Sequence, residues 1–218
     1  MKTCCTFLLL FIGFTAFAQK SDSTRIRKSA IGFDLIEEST ELKSKPHIKN
    51  GSARVFLHNK IVATGLYRNN ERVGKWRFFD KDSLSQVYNY NLKQMEFNIP
   101  DTTLHYNIDS LNQGDKVTYP IKIGMMNNLY WYLTSTARIP KELEQKDTEY
   151  QVMFYLYISK LGRIDKTFVN YSFSNNNKSY QLIDETNRFK YFEFSPATVN
   201  GSAVDSQMIL KVSARIGN

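Results

Sequence analysis

A strict alternation runs through the stretch Gln151-Val152-Met153-Phe154-Tyr155-Leu156-Tyr157-Ile158-Ser159. Successive side chains of a β-strand point to opposite faces, so one apolar set shares a face: Val152, Phe154, Leu156 and Ile158. Lys160-Leu161-Gly162-Arg163 follows, with a glycine suited to a tight turn, and Ile164 to Phe173 alternates again. The pattern predicts an antiparallel hairpin of two strands.

Apolar residues at helical spacing flank this hairpin on both sides. Upstream, residues 127–136 begin with capping residues and continue with Leu129, Tyr132, Leu133 and Thr136. Downstream, a second helical face is marked by Leu182, Ile183, Thr186 and Phe189. Asn200-Gly201 then turns the chain into a last alternating strand that includes Met208, Leu210 and Val212. The order predicts an α+β fold, an antiparallel three-stranded sheet covered by two helices.

Residues 51–99 carry shorter alternating segments, separated by corners rich in Asn and Asp. The clearest segment is Gly74-Lys75-Trp76-Arg77-Phe78-Phe79, which places Trp76 and Phe78 on one face. The corners suit turns, because Asn and Asp side chains bond to their own backbone and tolerate left-handed angles. This region is therefore predicted to be a β-meander that precedes the α+β part.

Two polar segments complete the mature chain. Residues 100–118 have no strong periodicity and contain Gly114-Asp115, which favours a linker. Residues 119–218 are therefore expected to fold alone. Residues 19–50 are polar with mixed charge and one short apolar patch at 31–36, which favours disorder or a loosely packed lead-in strand.

Residues 1–18 have the parts of a secretory signal peptide. An apolar run covers residues 7–17, and Ala16-Phe17-Ala18 forms an A-x-A cleavage site before Gln19. The run is shorter than the roughly 20 apolar residues that span a bilayer. Cys4 and Cys5 both precede it, which argues against lipidation and leaves the mature chain without cysteine. The sequence predicts a mature protein in the periplasm, associated with the outer membrane, or secreted.

Neither charge nor motif points to nucleic acid or to an active site. The formal net charge is +8, but the basic residues are scattered between acids, and export removes the usual nucleic-acid partner. His47, His58 and His105 lie apart in polar stretches, and neither a Gly-x-Ser-x-Gly elbow nor a phosphate-binding glycine loop is present. We expect no enzyme, no cofactor and no metal, with a hydrolase built from distant acids as the less favoured alternative.

Three segments of the C-terminal region occur in a recognisable order. Ile139-Pro140 comes first, then Ile158-Ser159-Lys160-Leu161-Gly162-Arg163-Ile164, then Phe194-Ser195-Pro196-Ala197-Thr198-Val199-Asn200-Gly201-Ser202-Ala203-Val204. Together they resemble the C-terminal domain family of TonB, in the form common among exported proteins of Bacteroidetes-type bacteria, over residues 119–218. The chain departs from a working TonB, since it has a cleavable signal and only five prolines in place of an anchor and a proline-rich spacer.

The meander has a resemblance of its own. Gly65-x-Tyr67-x-Asn69, Gly74-x-Trp76-x-Phe78-Phe79 and Gln86-Val87-Tyr88 resemble the MORN-like hairpin repeats of exported bacterial proteins, over residues 51–98. In such repeats the glycines permit tight hairpins and the aromatic side chains form the core. The resemblance therefore implies a structural role for these residues.

The TonB resemblance implies a non-enzymatic, protein-binding module of the periplasm or envelope. It would dock a peptide segment as an added strand at the exposed edge of its sheet. The last strand would offer that edge, with the outward residues Gln207, Ile209, Lys211, Ser213 and Arg215. The basic pair favours an acidic partner, and the resemblance implies a segment of an outer-membrane TonB-dependent receptor. A homodimer through the same edge and an envelope scaffold protein without a TonB-type role are the alternatives.

Overall fold

The computed structural model describes residues 23–137, 139–141, 149–173, 176–182 and 188–215. The predicted signal peptide and its cleavage site lie outside these residues. Most of the described chain is extended, and the described residues contain a single α-helix of 11 residues. Among them no helix is long and apolar enough to cross a membrane.

A seven-stranded antiparallel sheet occupies the N-terminal half, with its strands side by side in chain order. These strands are β1 (Thr24–Gly32), β2 (Leu35–Leu42), β3 (Lys45–Leu57), β4 (Lys60–Arg68), β5 (Glu71–Asp80), β6 (Ser83–Asn89) and β7 (Gln94–Asn98). The predicted β-meander over residues 51–99 is present as the end of β3 through β7. Residues 24–50, predicted to be disordered or a lead-in strand, add two further strands and the start of β3.

Two-residue turns explain why neighbouring strands pair in sequence order. Four of the hairpins have both turn residues at positive φ: Phe33-Asp34, His58-Asn59, Asn69-Asn70 and Lys81-Asp82. Such turns match the right-handed twist of the flanking strands, and Asn and Asp accept the required angles readily. The Asn-rich and Asp-rich corners of the sequence are therefore where the sheet reverses.

A five-stranded antiparallel sheet forms the C-terminal half, in the order β13-β12-β11-β17-β8. Its members are β8 (His105–Asn107), β11 (Glu149–Ile158), β12 (Ile164–Phe173), β13 (Asn176–Leu182) and β17 (Ser206–Arg215). Helix α1 (Met126–Thr136) covers one face through Leu129, Tyr132 and Leu133, all fully or almost fully buried. Two small sheets pair β10 (Ile121–Lys122) with β14 (Phe194–Ser195), and β9 (Val117–Thr118) and β16 (Ser202–Val204) with β15 (Ala197–Val199).

The predicted fold class, α+β with a C-terminal three-stranded sheet and two helices, is wrong. The C-terminal sheet has five strands, and its only α-helix within the described residues is α1. The proposed second helix began at Leu182, which instead ends β13. Tyr180 and Leu182 both pack against the core, and residues two positions apart share a face only in an extended chain. Residues 183–187 lie outside the described residues, and Phe189–Tyr191 forms one 3₁₀ turn.

The segment predicted as a linker, residues 100–118, contributes two short strands to the C-terminal sheets. β8 pairs with β17, and β9 pairs with β15. Leu104 and Tyr106 pack against the C-terminal core, and the ring of Tyr106 stacks on Tyr119 with centroids 4.9 Å apart. The segment is thus part of the C-terminal packing.

Each half of the molecule has its own hydrophobic core. In each half, one residue packs so closely against another part of the chain that only glycine fits there. In the meander, the indole of Trp76 lies on Gly65, where an added Cβ would come within 2.2 Å of the ring. In the C-terminal half, Gly162 has φ +70° and an added Cβ would lie 2.1 Å from the carbonyl oxygen of Phe194. Both glycines belong to the segments that carry the family resemblances, and both have a packing reason.

Candidate functional site

The last strand, β17, is paired along its whole length on one side and only partly on the other. On its inner side β11 accompanies it from the Ile158–Ser206 pair to the Glu149–Arg215 pair. On its outer side β8 covers Gln207, Met208 and Ile209. From residue 210 onward no strand among the described residues pairs with the outer side. We call this uncovered part, residues 210–215, the outer edge of β17.

At this outer edge, every second residue directs its backbone N–H and C=O groups away from β11. The hydroxyl of Tyr130, on helix α1, donates to the backbone carbonyl oxygen of Lys211 over 2.9 Å. That carbonyl therefore points away from β11. Because backbone groups alternate in direction along an antiparallel strand, Ser213 and Arg215 present theirs on the same outer side. The five predicted site residues thus divide into Gln207 and Ile209, which β8 covers, and three whose outward backbone is not covered by a strand.

The side chains of β17 divide between the two faces of the sheet as the alternation predicts. Met208 and Leu210 are fully buried on the face that α1 covers. Lys211 and Ser213 are exposed on the other face, while Gln207 and Ile209 are half-buried there.

That other face carries aromatic side chains that α1 does not cover. Tyr155 of β11 lies opposite Ile209 on one side and Phe168 of β12 on the other. Next to them, Tyr157 packs edge-on against Phe168, with ring centroids 5.8 Å apart, and Lys166 lies 4.4 Å from the Tyr157 ring. All three aromatic residues are only half-buried. This aromatic patch lies beside the part of β17 that β8 covers, because Tyr155 and Tyr157 are opposite Ile209 and Gln207.

A second feature is a cavity of about 610 Å³ between the meander and the C-terminal half. The meander lines it with Trp76, Phe78 and Tyr67, and the C-terminal half contributes Phe192 and Met125. Its walls therefore combine an apolar surface with charged and polar side chains in similar amounts. Sequence reasoning did not predict this cavity, because its walls come from segments that are spread along the chain from residue 30 to residue 192.

Two hydrogen-bonded groups of polar residues border the cavity. In the first, Lys49 forms an ion pair with the buried Glu37, and the hydroxyl of Tyr67 donates to the same carboxylate over 2.8 Å. Burial raises the pKa of Tyr67 to about 12, with the Glu37 charge acting in the same direction. Glu37 is only 1% exposed, although it belongs to the polar stretch of residues 19–50.

In the second group, Arg72 joins the two halves of the molecule. Its Nη1 donates to the Tyr90 hydroxyl over 2.8 Å and reaches a Glu193 carboxylate oxygen at 3.4 Å. The guanidinium also lies 4.7 Å from the centre of the Trp76 ring. Burial raises the pKa of Tyr90 well above its ordinary range, so this hydroxyl stays a neutral hydrogen-bond donor to Glu193.

Lys122 lines the cavity from β10 and is 6% exposed. Burial, together with the positive charge of Arg72, lowers the pKa of its ammonium to about 7, and Glu193 partly opposes both effects. The signal in the sequence was a single lysine in Ile121-Lys122-Ile123, between two β-branched apolar residues.

The described residues contain no group of three or more His, Cys, Asp or Glu side chains placed to hold a metal ion. Comparison of the chain with protein-family models, with curated proteins and with solved structures finds no match. The resemblances to the TonB C-terminal domain and to MORN-like repeats therefore stay predictions from the quoted motifs.

Proposed function

We propose that this chain is a non-enzymatic protein-binding module of the bacterial envelope that docks an extended peptide segment at the outer edge of β17. The observation that carries the proposal is the outward backbone of Ser213 and Arg215, which lies beyond the strand cover given by β8 and beyond the Lys211 carbonyl that accepts from Tyr130. Exposed sheet edges either receive a partner strand or are blocked. A peptide added here would continue the five-stranded sheet.

The residues around this edge favour a peptide ligand that carries both apolar and acidic side chains. An added strand would place alternate side chains beside Lys211 and Ser213, close to the half-buried Met153 of β11, which lies opposite Lys211. The exposed Lys211 favours acids at the intervening contacts. An exposed charge pair contributes at most about 1 kcal/mol, so the backbone ladder must supply most of the affinity.

The cellular location and the partner class that we propose rest on the sequence. The predicted signal peptide puts the mature chain in the periplasm, on the envelope or outside the cell. A periplasmic segment of an outer-membrane receptor is the partner class we propose, because the TonB resemblance implies that mode of binding. The net charge of +8 is compatible with an acidic segment.

The test compares two substitutions at one position. Ser213→Pro removes the outward backbone N–H, whereas Ser213→Ala removes only the hydroxyl and keeps that donor. Both variants must first show a cooperative thermal transition close to that of the parent chain. Each is then immobilised, and proteins retained from envelope extract are identified by mass spectrometry.

We expect partners held by the parent chain and by Ser213→Ala to be lost from Ser213→Pro. Lys211→Gln should weaken their retention less than Ser213→Pro does. Oligomeric state is measured by light scattering on the same variants, and a dimer abolished by Ser213→Pro would assign the edge to self-pairing. Identical partners and identical mass for all variants would show that this edge is not the binding surface.

A further inference from the structure

We propose that the cavity between the meander and the C-terminal half binds a long-chain carboxylate, with its acidic group at Lys122 and its hydrocarbon chain along the apolar walls. This site is separate from the outer edge of β17, and the inference does not rest on the proposed peptide-binding function. It rests on the shape of the cavity, the buried cation within it and the residues at its rim.

The walls fit a hydrocarbon chain. The meander contributes a continuous apolar surface from adjacent strands, which consists of Val55, Val62, Ala63, Trp76 and Phe78. Phe192 and Met125 close the opposite side. A volume of about 610 Å³ lies within the range of about 300–1,000 Å³ that is usual for small-molecule sites. Such a ligand would bury most of its apolar surface here.

The charges that line the cavity favour an anion. Four cationic side chains line it, Lys49, Arg72, Lys122 and Arg188, against one acid, Glu37. Glu37 pairs with Lys49, and Glu193 pairs with Arg72. Lys122 has no acidic partner within ion-pair distance among the described residues.

The ammonium of Lys122 is the centre of the proposed site. It can donate three hydrogen bonds. In the described structure it makes one, to the carbonyl oxygen of Ile123 at 3.3 Å, and it lies 5.6 Å from the centre of the Phe192 ring. A buried ammonium with unused donors is costly, and a carboxylate would supply both the acceptors and the opposite charge.

The first turn of α1 adds to the preference for an anion. Met125 and Asn128 line the cavity at this end of the helix. The helix has no side-chain hydrogen bond at its N-cap and no acid in its first turn. Its first backbone N–H groups therefore carry an uncompensated partial positive charge beside the cavity.

The rim offers a way in for an apolar chain. Ile31 and Tyr191 line the cavity and are 39% and 67% exposed. Phe33, in the turn between β1 and β2, lies beside them at φ +55°, an unusual angle for a bulky residue. Contacts with the rings of Trp131, Tyr132 and Phe192 hold it, with centroids 5.5–6.1 Å apart. Exposed apolar side chains at the mouth would lead a hydrocarbon chain inward.

The ionisation of Lys122 gives the site a pH dependence. Lys122 is charged below about pH 7 and loses its proton above it, because burial and Arg72 lower its pKa while Glu193 opposes them. Arg188, Lys49 with its ion-pair partner Glu37, and Tyr67, whose pKa is raised by burial, also face the cavity. Carboxylate binding is therefore expected to be stronger at pH 6 than at pH 8.5, while an alcohol of equal length should bind equally at both.

The experiment titrates the purified chain with octanoate, decanoate, dodecanoate and 1-decanol, below their aggregation concentrations. Calorimetry gives the affinities, and tryptophan fluorescence reports the cavity, because Trp76 lines it and the chain has only two tryptophans. Each added methylene should raise affinity about fourfold. Decanoate should bind about tenfold or more tightly than 1-decanol at pH 6.

The key variant is Lys122→Met, with Lys116→Met at an exposed lysine outside the cavity as its control. Lys122→Met should bind decanoate and 1-decanol equally, and Lys116→Met should behave as the parent chain. If Lys122→Met does not fold, the parent chain alone tests the proposal. Its affinity for decanoate relative to 1-decanol must be lower at pH 8.5 than at pH 6. The proposal is overturned by unsaturable binding, by equal affinities for acid and alcohol in the parent chain, or by a preference that is independent of pH or of Lys122.

Discussion

Single residues in this protein are constrained mainly by residues that pack against them from other parts of the chain. Lys122 is an example: its neighbours in sequence are apolar, and its charge is set by burial and by Arg72 from the meander. Trp76 is another, because it is fully buried against Gly65 and its Nε1 donates to the Leu66 carbonyl over 3.1 Å. Neither environment can be read from the residue type alone.

Lys122→Met is predicted to change how stability depends on pH. The folded-state pKa of Lys122 is about 7, below its unfolded value near 10.4, so between these values the unfolded chain binds more protons. The stability of the parent chain should therefore rise relative to the variant, by up to about 1.4 kcal/mol per pH unit between pH 7 and 9. Below pH 7 the free energy of unfolding of the variant should exceed that of the parent chain by its largest amount, and this difference should not change with pH.

Urea unfolding of both chains at half-unit steps from pH 6 to 9 measures this difference. Lys116→Met serves as the control, since an exposed lysine should give a difference that does not vary with pH. Parallel stability curves for the parent chain and Lys122→Met would show that Lys122 titrates normally in the folded protein.

At the scale of elements, the C-terminal sheet depends on a segment that looks like a linker. β8 covers three of the ten residues of β17 on its outer side, and the same segment buries Ile108 and packs Leu104 and Tyr106 against the core. Three residues of strand are too short to show a period in the sequence, so only the partner strand reveals them. Short strands of this kind determine where a fragment that contains the C-terminal half must begin in order to be stable.

A fragment of residues 101–218 is predicted to be more stable than a fragment of residues 119–218. The longer fragment keeps the strand pairing of β8 and the burial of Leu104, Tyr106 and Ile108, worth about 2–4 kcal/mol. Thermal unfolding followed by circular dichroism compares the two, with the whole chain as reference. Equal transition temperatures would mean that β8 contributes nothing and that the boundary lies at residue 119.

On the scale of the whole molecule, the two halves are linked by buried hydrogen bonds. Gln86 of the meander is 8% exposed, and its Nε2 donates to the carbonyl oxygen of Lys122 over 2.9 Å. Its Oε1 accepts from the backbone N–H of Gly124 over 2.8 Å. The link from Arg72 to Glu193 lies nearby. These contacts place both halves around one cavity and predict that they unfold together.

Gln86→Leu is predicted to weaken this coupling. The substitution keeps most of the side-chain volume but leaves the N–H of Gly124 and the carbonyl of Lys122 without their partner, at a cost of about 1–3 kcal/mol. Calorimetry should show one transition for the parent chain and a lower or divided transition for the variant. Gln94→Leu, at an exposed position on β7, should leave the transition unchanged. The same effect from both substitutions would contradict a specific role for Gln86.

Several features could be predicted from the sequence because they depend on neighbours along the chain. Alternation over residues 151–158 and 164–173 gave the central hairpin, and the spacing of Leu129, Tyr132 and Leu133 gave helix α1 and its buried face. Turn residues at the corners gave the meander. The faces of β17 also followed from its alternation, so the candidate edge could be named by residue before its surroundings were known.

Other features were decided only by tertiary structure, because they depend on residues far apart in the chain. The number of strands in the C-terminal sheet required β13 and β8, whose short patterns are ambiguous until β12 and β17 offer them partners. How much of β17 stays uncovered was set by the length of β8. The cavity, and the burial of Lys122 within it, arose where the meander meets the C-terminal half. Local pattern determines which residues share a face, whereas long-range packing determines what that face meets, and with it the charge and exposure on which binding depends.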